Sequence, residues 1–402
     1  MTRSFSVLIP DGSDYGVLKV LRCLGQSSNV TSYVLSKEKK PIAGYSKYCK
    51  KYYFNSSRND YEWIEVIKDI AGKTRIDVLL PTTTEGIEFI SKNYNALKEI
   101  VSLPPTPQYD LLKMAQDKWS FYLFVKEHEL PMSQTILFAE QSKILAEPSS
   151  LDTMEFPVLL KPTQEMGGQG IIKIDKPSEF YNIIEQKKAI QSGKRYIVQS
   201  YIPGEDLCLG ACCKQGEILS YVLQKDISSQ SNSFSHQKIM KYVNNDMAIE
   251  IANKLVSDMS WDGMAFIDLR IDSRDNSMKL LEVNPRLGRA FLGALSAGVN
   301  FPLNLCYSAL GMDITDKQKE SVRYAHPSAY IENLKSRIKG KKVPLKLRWR
   351  ESGIRYSIAD PLPELVEAMK NLRKIKIFHS FFNGKQQKIN NDYVKNEKVK
   401  SF

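Results

Sequence analysis

The chain has 402 residues, 42% apolar and 25% charged, the balance of a globular protein with room for two or three domains. No run approaches the roughly 18 apolar residues a membrane span needs, and the start, from Met1 to Pro10, lacks the apolar core and cleavage site of a signal peptide. The net charge of +12 is concentrated: from Lys335 onward there are 18 Lys and Arg against 6 Asp and Glu, so the first 334 residues sum to zero.

That basic segment reads as a solvated tail, or as a surface for something anionic: a membrane, an anionic glycan or another polyanion. It carries no interleaved aromatic platform and no nucleic-acid motif, so nucleic acid is not the expected partner. The six cysteines show no zinc spacing, and Cys208, Cys212 and Cys213 sit in a strand-like run where they read as small buried hydrophobes. A reducing, cytoplasmic compartment is expected. Nothing excludes a homodimer.

Along the chain, residues 5–10 are apolar enough for a buried parallel strand, and Asp11 to Gly16 turns into an amphipathic helix over 17–25. Residues 30–35 read as a second strand. A helix over 61–71 carries Trp63, Ile64, Val66, Ile67 and Ile70 on one face. Residues 76–81 form a further strand, ending in Thr82 to Gly86, with a helix from Ile87. This alternation predicts an open parallel sheet with helices on both faces. Ligands on such sheets gather at the carboxyl ends of strands, where Asp11–Gly16 and Thr82–Glu85 fall.

A helix is predicted over 110–130. Strands are predicted over 196–201, 207–213 and 218–224, the last two joined as a hairpin through Lys214 to Glu217. Residues 228–237 are serine-rich and include His236, the pattern of a loop that closes over substrate. A helix over 246–259 precedes strands over 261–271 and 279–283, which pair through a turn at 272–277. There is no internal repeat. Residues from Asn383 on are polar and lysine-rich, the composition of a disordered end.

Two segments bear chemistry. In the first, a strand ends in Lys161 and runs into a loop with Gly167, Gly168 and Gly170. Glycines let backbone N–H groups approach an anion without Cβ obstruction, and a lysine beside them supplies a point charge for phosphates. The spacing fits neither a Walker loop nor a dinucleotide fingerprint. Alone, it reads equally as a tight hairpin that needs positive φ. In the second, Glu282 and Asn284 alternate on one strand, and Asp268 lies on the predicted neighbour. Three oxygen ligands converging on a sheet suit Mg²⁺, with water and phosphate completing its shell. Arg286 follows two residues on. Alone, these too read as edge-strand acids before a Pro turn, though a carboxylate on so apolar a strand needs a partner.

In this order, Asp117–Lys118, Lys161 with Glu165 to Gly170, the segment Val198 to Asp206, Asp268, and Glu282-Val283-Asn284-Pro285-Arg286 resemble the ATP-grasp superfamily. The likeness covers about residues 1–312 and is nearest to the carbamoyl-phosphate-synthase-like branch of carboxylate–amine ligases. It implies an α/β and α+β protein: a Rossmann-like open sheet at 1–110, a small sub-domain at 111–195, a large sub-domain with the metal site at 196–325, and a basic extension at 326–402, with ATP between the two sub-domains. It also implies residue roles. Lys118 and Lys161 would contact phosphates, with Gly167, Gly168 and Gly170. Gln199, Ser200 and Ile202 would form the adenine hinge. Glu205 or Asp206, preferably Asp206, would hold the ribose. Asp268, Glu282 and Asn284 would bind Mg²⁺ or Mn²⁺. Arg286 and Arg270 would stabilise an acyl phosphate, and Arg289 is a candidate for the substrate carboxylate. Gln199 replaces the usual acid of the hinge, and Asp268 is shorter than the usual glutamate.

The reaction implied is ATP-dependent ligation of a small-molecule carboxylate to an amine through an acyl phosphate. The same scaffold also serves carboxylase and kinase-like chemistry, or nucleotide binding without turnover, which the intact Lys/Asp/Glu/Asn/Arg set argues against. No biotin-attachment or glutaminase sequence is present. Beyond the family core, a helix is predicted over 365–374 with Leu365, Ala368, Met369 and Leu372 on one face, expected to pack on the ligase body.

Overall fold

A computed structural model describes residues 3–57, 59–140, 143–144, 151, 153–165, 167–185, 194–228, 238–288, 291–341, 343 and 345–372. The serine-rich loop with His236, Arg289, and everything from 373 on lie outside the described residues.

Three sheets organise the chain. β1 (Phe5–Ile9), β2 (Val30–Ser36), β3 (Cys49–Phe54) and β4 (Val78–Leu79) form a parallel sheet ordered β3-β2-β1-β4. One face packs Leu8, Leu35 and Leu79 against Trp63, Ile67 and Ile70 of the helix Asp60–Thr74. The other packs Val7, Ile9 and Val34 against the helix Gly16–Leu24. Helices thus cover both faces, as the alternation implies. The strand predicted over 76–81 shrinks to two residues. β3 has no counterpart among the predicted strands, because Lys50 and Lys51 interrupt its apolar pattern and its side chains are mostly exposed on the sheet edge.

β5 (Thr135–Glu140), β6 (Lys143–Ile144), β7 (Val158–Pro162), β8 (Ile172–Ile174) and β9 (Tyr196–Ser200) form an antiparallel sheet ordered β6-β5-β9-β7-β8. β10 (Gly204–Lys214), β11 (Glu217–Asp226), β12 (Ile239–Tyr242), β13 (Gly263–Asp272), β14 (Met278–Asn284) and β15 (Arg323–Ala325) form a third, also antiparallel, ordered β14-β13-β10-β11-β12-β15. The hairpin β10–β11 and the pair β13–β14 match the sequence reading. The back of this sheet packs Leu207, Leu209, Leu269 and Leu280 against Leu255 and Val256 of the helix Asp246–Asp258. Its front shares one apolar cluster with the N-terminal sheet: Val7, Ile9 and Leu24 lie with Phe266, Leu292, Phe301 and Tyr324. Continuous burial of this kind fixes the N-terminal sheet against the third one.

Two differences from the sequence reading have specific polar causes. The helix predicted over 110–130 is two helices, Tyr109–Gln116 and Lys118–Glu127. Asp117 between them is extended, and its carboxylate caps the second helix by accepting from the Ser120 N–H at 3.0 Å. The C-terminal helix spans 362–372, and its apolar face does not pack on the body: Leu365, Met369 and Leu372 are 57, 52 and 59% exposed. Its polar side docks instead. The guanidinium of Arg22 meets Asp360 at 3.3 Å and the Glu364 carboxylate at 2.7 Å, and Asp360 also accepts from Ser46 Oγ and the Lys47 N–H at 2.8 and 2.9 Å. With Arg22 and Asp360 both buried, these polar bonds decide which side faces inward.

Candidate active site

The glycine loop is the turn of the β7–β8 hairpin. Gly167, Gly168 and Gly170 have φ of 65, 77 and 72°, the left-handed region that favours residues without a Cβ. The hairpin and phosphate-loop readings are therefore compatible. Lys161, the penultimate residue of β7, lies on the face it shares with Gln199 of β9, opposite the core face that holds Val158 and Val198. Its ammonium is buried and donates to Gln199 Oε1 at 2.6 Å, while Gln199 Nε2 donates to Thr135 Oγ1 at 2.9 Å. The Gln199 side chain, expected at the adenine, is thus occupied in orienting Lys161. Ser200 gives its backbone N–H to the Gln134 carbonyl, a bond at the end of β9, and Ser200 pairs with Val158. Ile202 is buried, and among the described residues its main chain makes no backbone hydrogen bond, so it has a donor and an acceptor to offer.

Lys118 opens its helix, and the Asp117 cap holds it in place. Its backbone N–H donates to the Thr163 carbonyl at 3.0 Å. Its ammonium donates to the Glu165 carbonyl at 2.6 Å and lies 3.9 Å from the Glu282 carboxylate. Glu165 turns to Lys194 through its own carboxylate.

On the third sheet one row runs in register across five strands: Glu282, Asp268, Cys208, Gln224 and Tyr242. A bulge between β13 and β14 follows Asp268, the kind of irregularity that re-aims side chains at functional sites. Asp268 lies within hydrogen-bonding reach of both Glu282 and the Cys208 thiol. Burial, then the Glu282 charge, pushes its carboxyl far above the usual carboxylate range. Asn284 Nδ2 donates to Glu282 Oε1 at 3.0 Å, which leaves the amide oxygen outside that bond. Across the cleft, burial lowers the Lys161 ammonium to about 8 against the opposing pull of Glu282, with Lys118 and Arg270 adding to the depression.

The neighbouring row holds Asp206 opposite Arg270. Their charged groups lie 3.4 Å apart, yet Asp206 Oδ1 is buried and has no hydrogen-bond partner among the described residues. Burial, countered by Arg270, raises the Asp206 carboxyl above its ordinary value. Arg270 also donates to the Gly204 carbonyl at 3.2 Å and lies 5.2 Å from the centre of the Tyr201 ring, with Lys173 4.9 Å from the same ring. Arg270 therefore braces the 201–206 hinge, a structural task that the acyl-phosphate role does not describe. Glu205 alternates to the other face and pairs with Lys225 at 3.3 Å, so of the two acids only Asp206 faces Lys161. Arg286 is half-buried, and among the described residues it makes no hydrogen bond or ion pair. Tyr201, Cys208 and Gln224 had no individual signal. Only alternation from Asp206 along β10 would have aligned Cys208 with the acids.

Asp268, Glu282 and the Asn284 amide oxygen are hard oxygen donors, and the two crowded carboxylates fit a divalent cation that would relieve their repulsion. Among the described residues no cluster of three His, Cys, Asp or Glu exists, so such an ion would rely on the amide, water and phosphate for its remaining ligands. At the N-terminal sheet, Asp11 after β1 accepts from the N–H and Oγ1 of both Thr82 and Thr83 after β4, at 2.6–3.2 Å. The two predicted ligand-bearing segments are thereby tied together. Between this edge and the third sheet lies a small apolar cleft lined by Pro81, Ile87, Met264 and Pro285.

The family of the ATP-grasp domain matches residues 115–289, which span both lysines, the hinge and the acidic row. This chain carries an ATP-grasp domain. The D-aspartate ligase of Enterococcus faecium (strain Aus0004) is 23% identical over 315 residues, 72% of this chain and 73% of that protein. The carbamoyl phosphate synthase large chain of Thermoanaerobacter sp. (strain X514) is 23% identical over 190 residues, 45% of this chain and 17% of that much longer protein. Among solved structures, an N5-carboxyaminoimidazole ribonucleotide synthetase in complex with ADP shares the fold with a TM-score of 0.63 at 13% identity, covering 84% of this chain and 86% of that one. The ATP-grasp fold is thus observed, with the second and third sheets facing each other across the cleft that holds Lys118, Lys161 and the acids. Among the described residues no helix is long and apolar enough to cross a membrane.

Proposed function

We propose that the chain is an ATP-dependent ligase that joins a small-molecule carboxylate to an amine through an acyl phosphate. The observation that carries this reading is the approach of the Lys118 ammonium to Glu282, at 3.9 Å, which brings the lysines beside one sheet to the carboxylates of the other. A site with cations on one wall and oxygen ligands on the other suits a triphosphate that is itself polyanionic and metal-bound. The E. faecium relative, named a D-aspartate ligase, supports an amino-acid carboxylate or amine as one partner.

In this reading Lys118 and Lys161 neutralise the phosphates, with Lys161 aimed by Gln199. The glycine loop offers backbone N–H groups, and Ile202 offers its main chain to the adenine. Asp206 accepts from the ribose through its orphaned Oδ1. The substrate carboxylate oxygen bonds to the γ-phosphorus while the bond to the β–γ bridging oxygen breaks, and ADP leaves. The amine then attacks the acyl carbon, the carbon–oxygen bond to phosphate breaks, and the amine loses a proton as phosphate departs. Mg²⁺ or Mn²⁺ held by Asp268, Glu282 and Asn284 would neutralise charge on the phosphate oxygens. Arg286, which makes no ion pair among the described residues, is the group proposed to stabilise the transferring phosphoryl. The chain's contribution is positioning and electrostatics. Screening carboxylates and amines in pairs for stimulated ADP release tests the proposal. ADP formation with phosphate release and no amide product would instead support a kinase-like or carboxylase reaction.

A further inference from the structure

The C-terminal segment from Lys335 carries all of the chain's net charge, and its described residues supply none of the candidate site residues. Residues 326–351 leave the edge of the third sheet and return to it. Ala325 bridges Ser352, Gly353 N–H donates to the Ala325 carbonyl at 3.0 Å, and Arg323 holds Glu351 through two bonds of 2.9 and 2.6 Å. Inside the excursion, Asn333 of the helix Pro327–Ile338 donates to the Leu345 carbonyl at 2.7 Å. The described residues of the excursion therefore form a structured platform closed at its base.

Its surface is unusual in two ways. Ile331, Leu334 and Ile338 form a stripe at helical spacing and are 42, 39 and 76% exposed, and Trp349 is 50% exposed. Interleaved with them, Lys335, Arg337, Lys339, Lys341, Arg348 and Arg350 are exposed, and among the described residues none is in an ion pair. The helix 362–372 follows with Leu362, Leu365, Met369 and Leu372 at least half exposed. Isolated exposed leucines are ordinary; grouped apolar side chains rimmed by unpaired cations mark a contact surface.

We propose that this face docks on an anionic lipid surface. Apolar side chains at helical spacing insert at the headgroup boundary, while lysine and arginine stems extend to lipid phosphates. A glycan or nucleic acid would answer the charge but would leave the Ile331–Leu334–Ile338 stripe in water. The chain's neutral first 334 residues add no competing field, so the attraction is directed to this face.

The test is co-sedimentation of the full chain with vesicles of phosphatidylcholine alone or with a quarter phosphatidylglycerol. The protein is expected to bind only the anionic vesicles, and to be released as salt rises from about 0.1 M to about 1 M, where the screening length falls from about 10 to about 3 Å. Each of Lys335→Ser, Arg337→Ser and Lys339→Ser is expected to weaken partitioning about fivefold. The triple variant Ile331→Ser, Leu334→Ser, Ile338→Ser is expected to weaken it at least about tenfold. All should retain the far-UV spectrum and ADP formation of the parent. Failure of the parent to bind anionic vesicles overturns the proposal. So does unchanged binding by the apolar variant, which would leave a purely electrostatic polyanion site. A dimer that the apolar variant dissociates, without vesicle binding by the parent, would assign the face to a second copy of the chain.

Discussion

Asp268 and Glu282 stand opposite each other across β13 and β14, within hydrogen-bonding reach, and the same pairing that aligns them crowds their charges. Both are only partly exposed, and two acids that face each other there destabilise the fold that positions them. Glu282→Gln removes one charge, so it is expected to raise the melting temperature of the metal-free protein by about 1–3 °C, the effect of roughly 1 kcal/mol. The same change is expected to lower ADP formation at least about a hundredfold. Mg²⁺ or Mn²⁺ should raise the parent's melting temperature and leave the variant's unmoved. A variant less stable than its parent under metal-free conditions would contradict this account.

Lys161 is depressed to about 8 by its burial, so in the nucleotide-free protein its ammonium is complete below that pH and lost as pH rises through it. Bound phosphates favour the charged form. ATP affinity should therefore fall about twentyfold between about pH 7.5 and pH 9.5, and binding above pH 8 should take up a proton. Calorimetry in two buffers of different ionisation enthalpy measures both. Lys161→Met should bind weakly at every pH with no such dependence. A pH-independent affinity in the parent would place the phosphates elsewhere.

Asp206 and Glu205 are adjacent in sequence and opposite in orientation. Asp206→Ala should weaken ADP binding by about 1.5–3 kcal/mol, the range for a hydrogen bond to a charged group. Glu205→Ala removes only an exposed pair with Lys225 and should change it by less than about 1 kcal/mol. Isothermal titration with ADP separates the two, and equal losses would show that the ribose is held in another way.

Arg22 and Asp360 form a buried pair far apart in sequence, at 3.3 Å. Removing only one partner leaves a buried charge, so Arg22→Met should cost about 3–5 kcal/mol in denaturant unfolding. It should also expose 354–372 to protease. Arg22→Met with Asp360→Leu should recover part of the loss, because no buried charge is then left unpaired. A single variant as stable as its parent would show that the C-terminal helix is held by other contacts.

Much of this was legible from local pattern. The β1–β2 rhythm, the β10–β11 hairpin and the β13–β14 pair follow from strand-length apolar runs bounded by turn residues, signals that need no tertiary information. Other features left no local trace. β3 is an edge strand whose lysines hide it. Asp117 reads as one more residue of a long helix until its capping bond is seen. The apolar face of helix 362–372 predicts packing, and the deeply buried Arg22–Asp360 bond overrides that prediction.

The order of Lys118, Lys161, the glycines, the hinge and the Asp268–Glu282–Asn284 set was determined by the sequence alone, because a strand's alternation and a glycine's freedom are local properties. Which of these residues face one another was decided only in three dimensions. Sheet register placed Cys208 and Gln224 in the acidic row, and strand alternation separated Asp206 from Glu205. Packing set Gln199 on Lys161 and Arg270 on Tyr201. Register and packing depend on strands distant along the chain, so the order of these motifs could be read from the residues while which of them face one another required the fold.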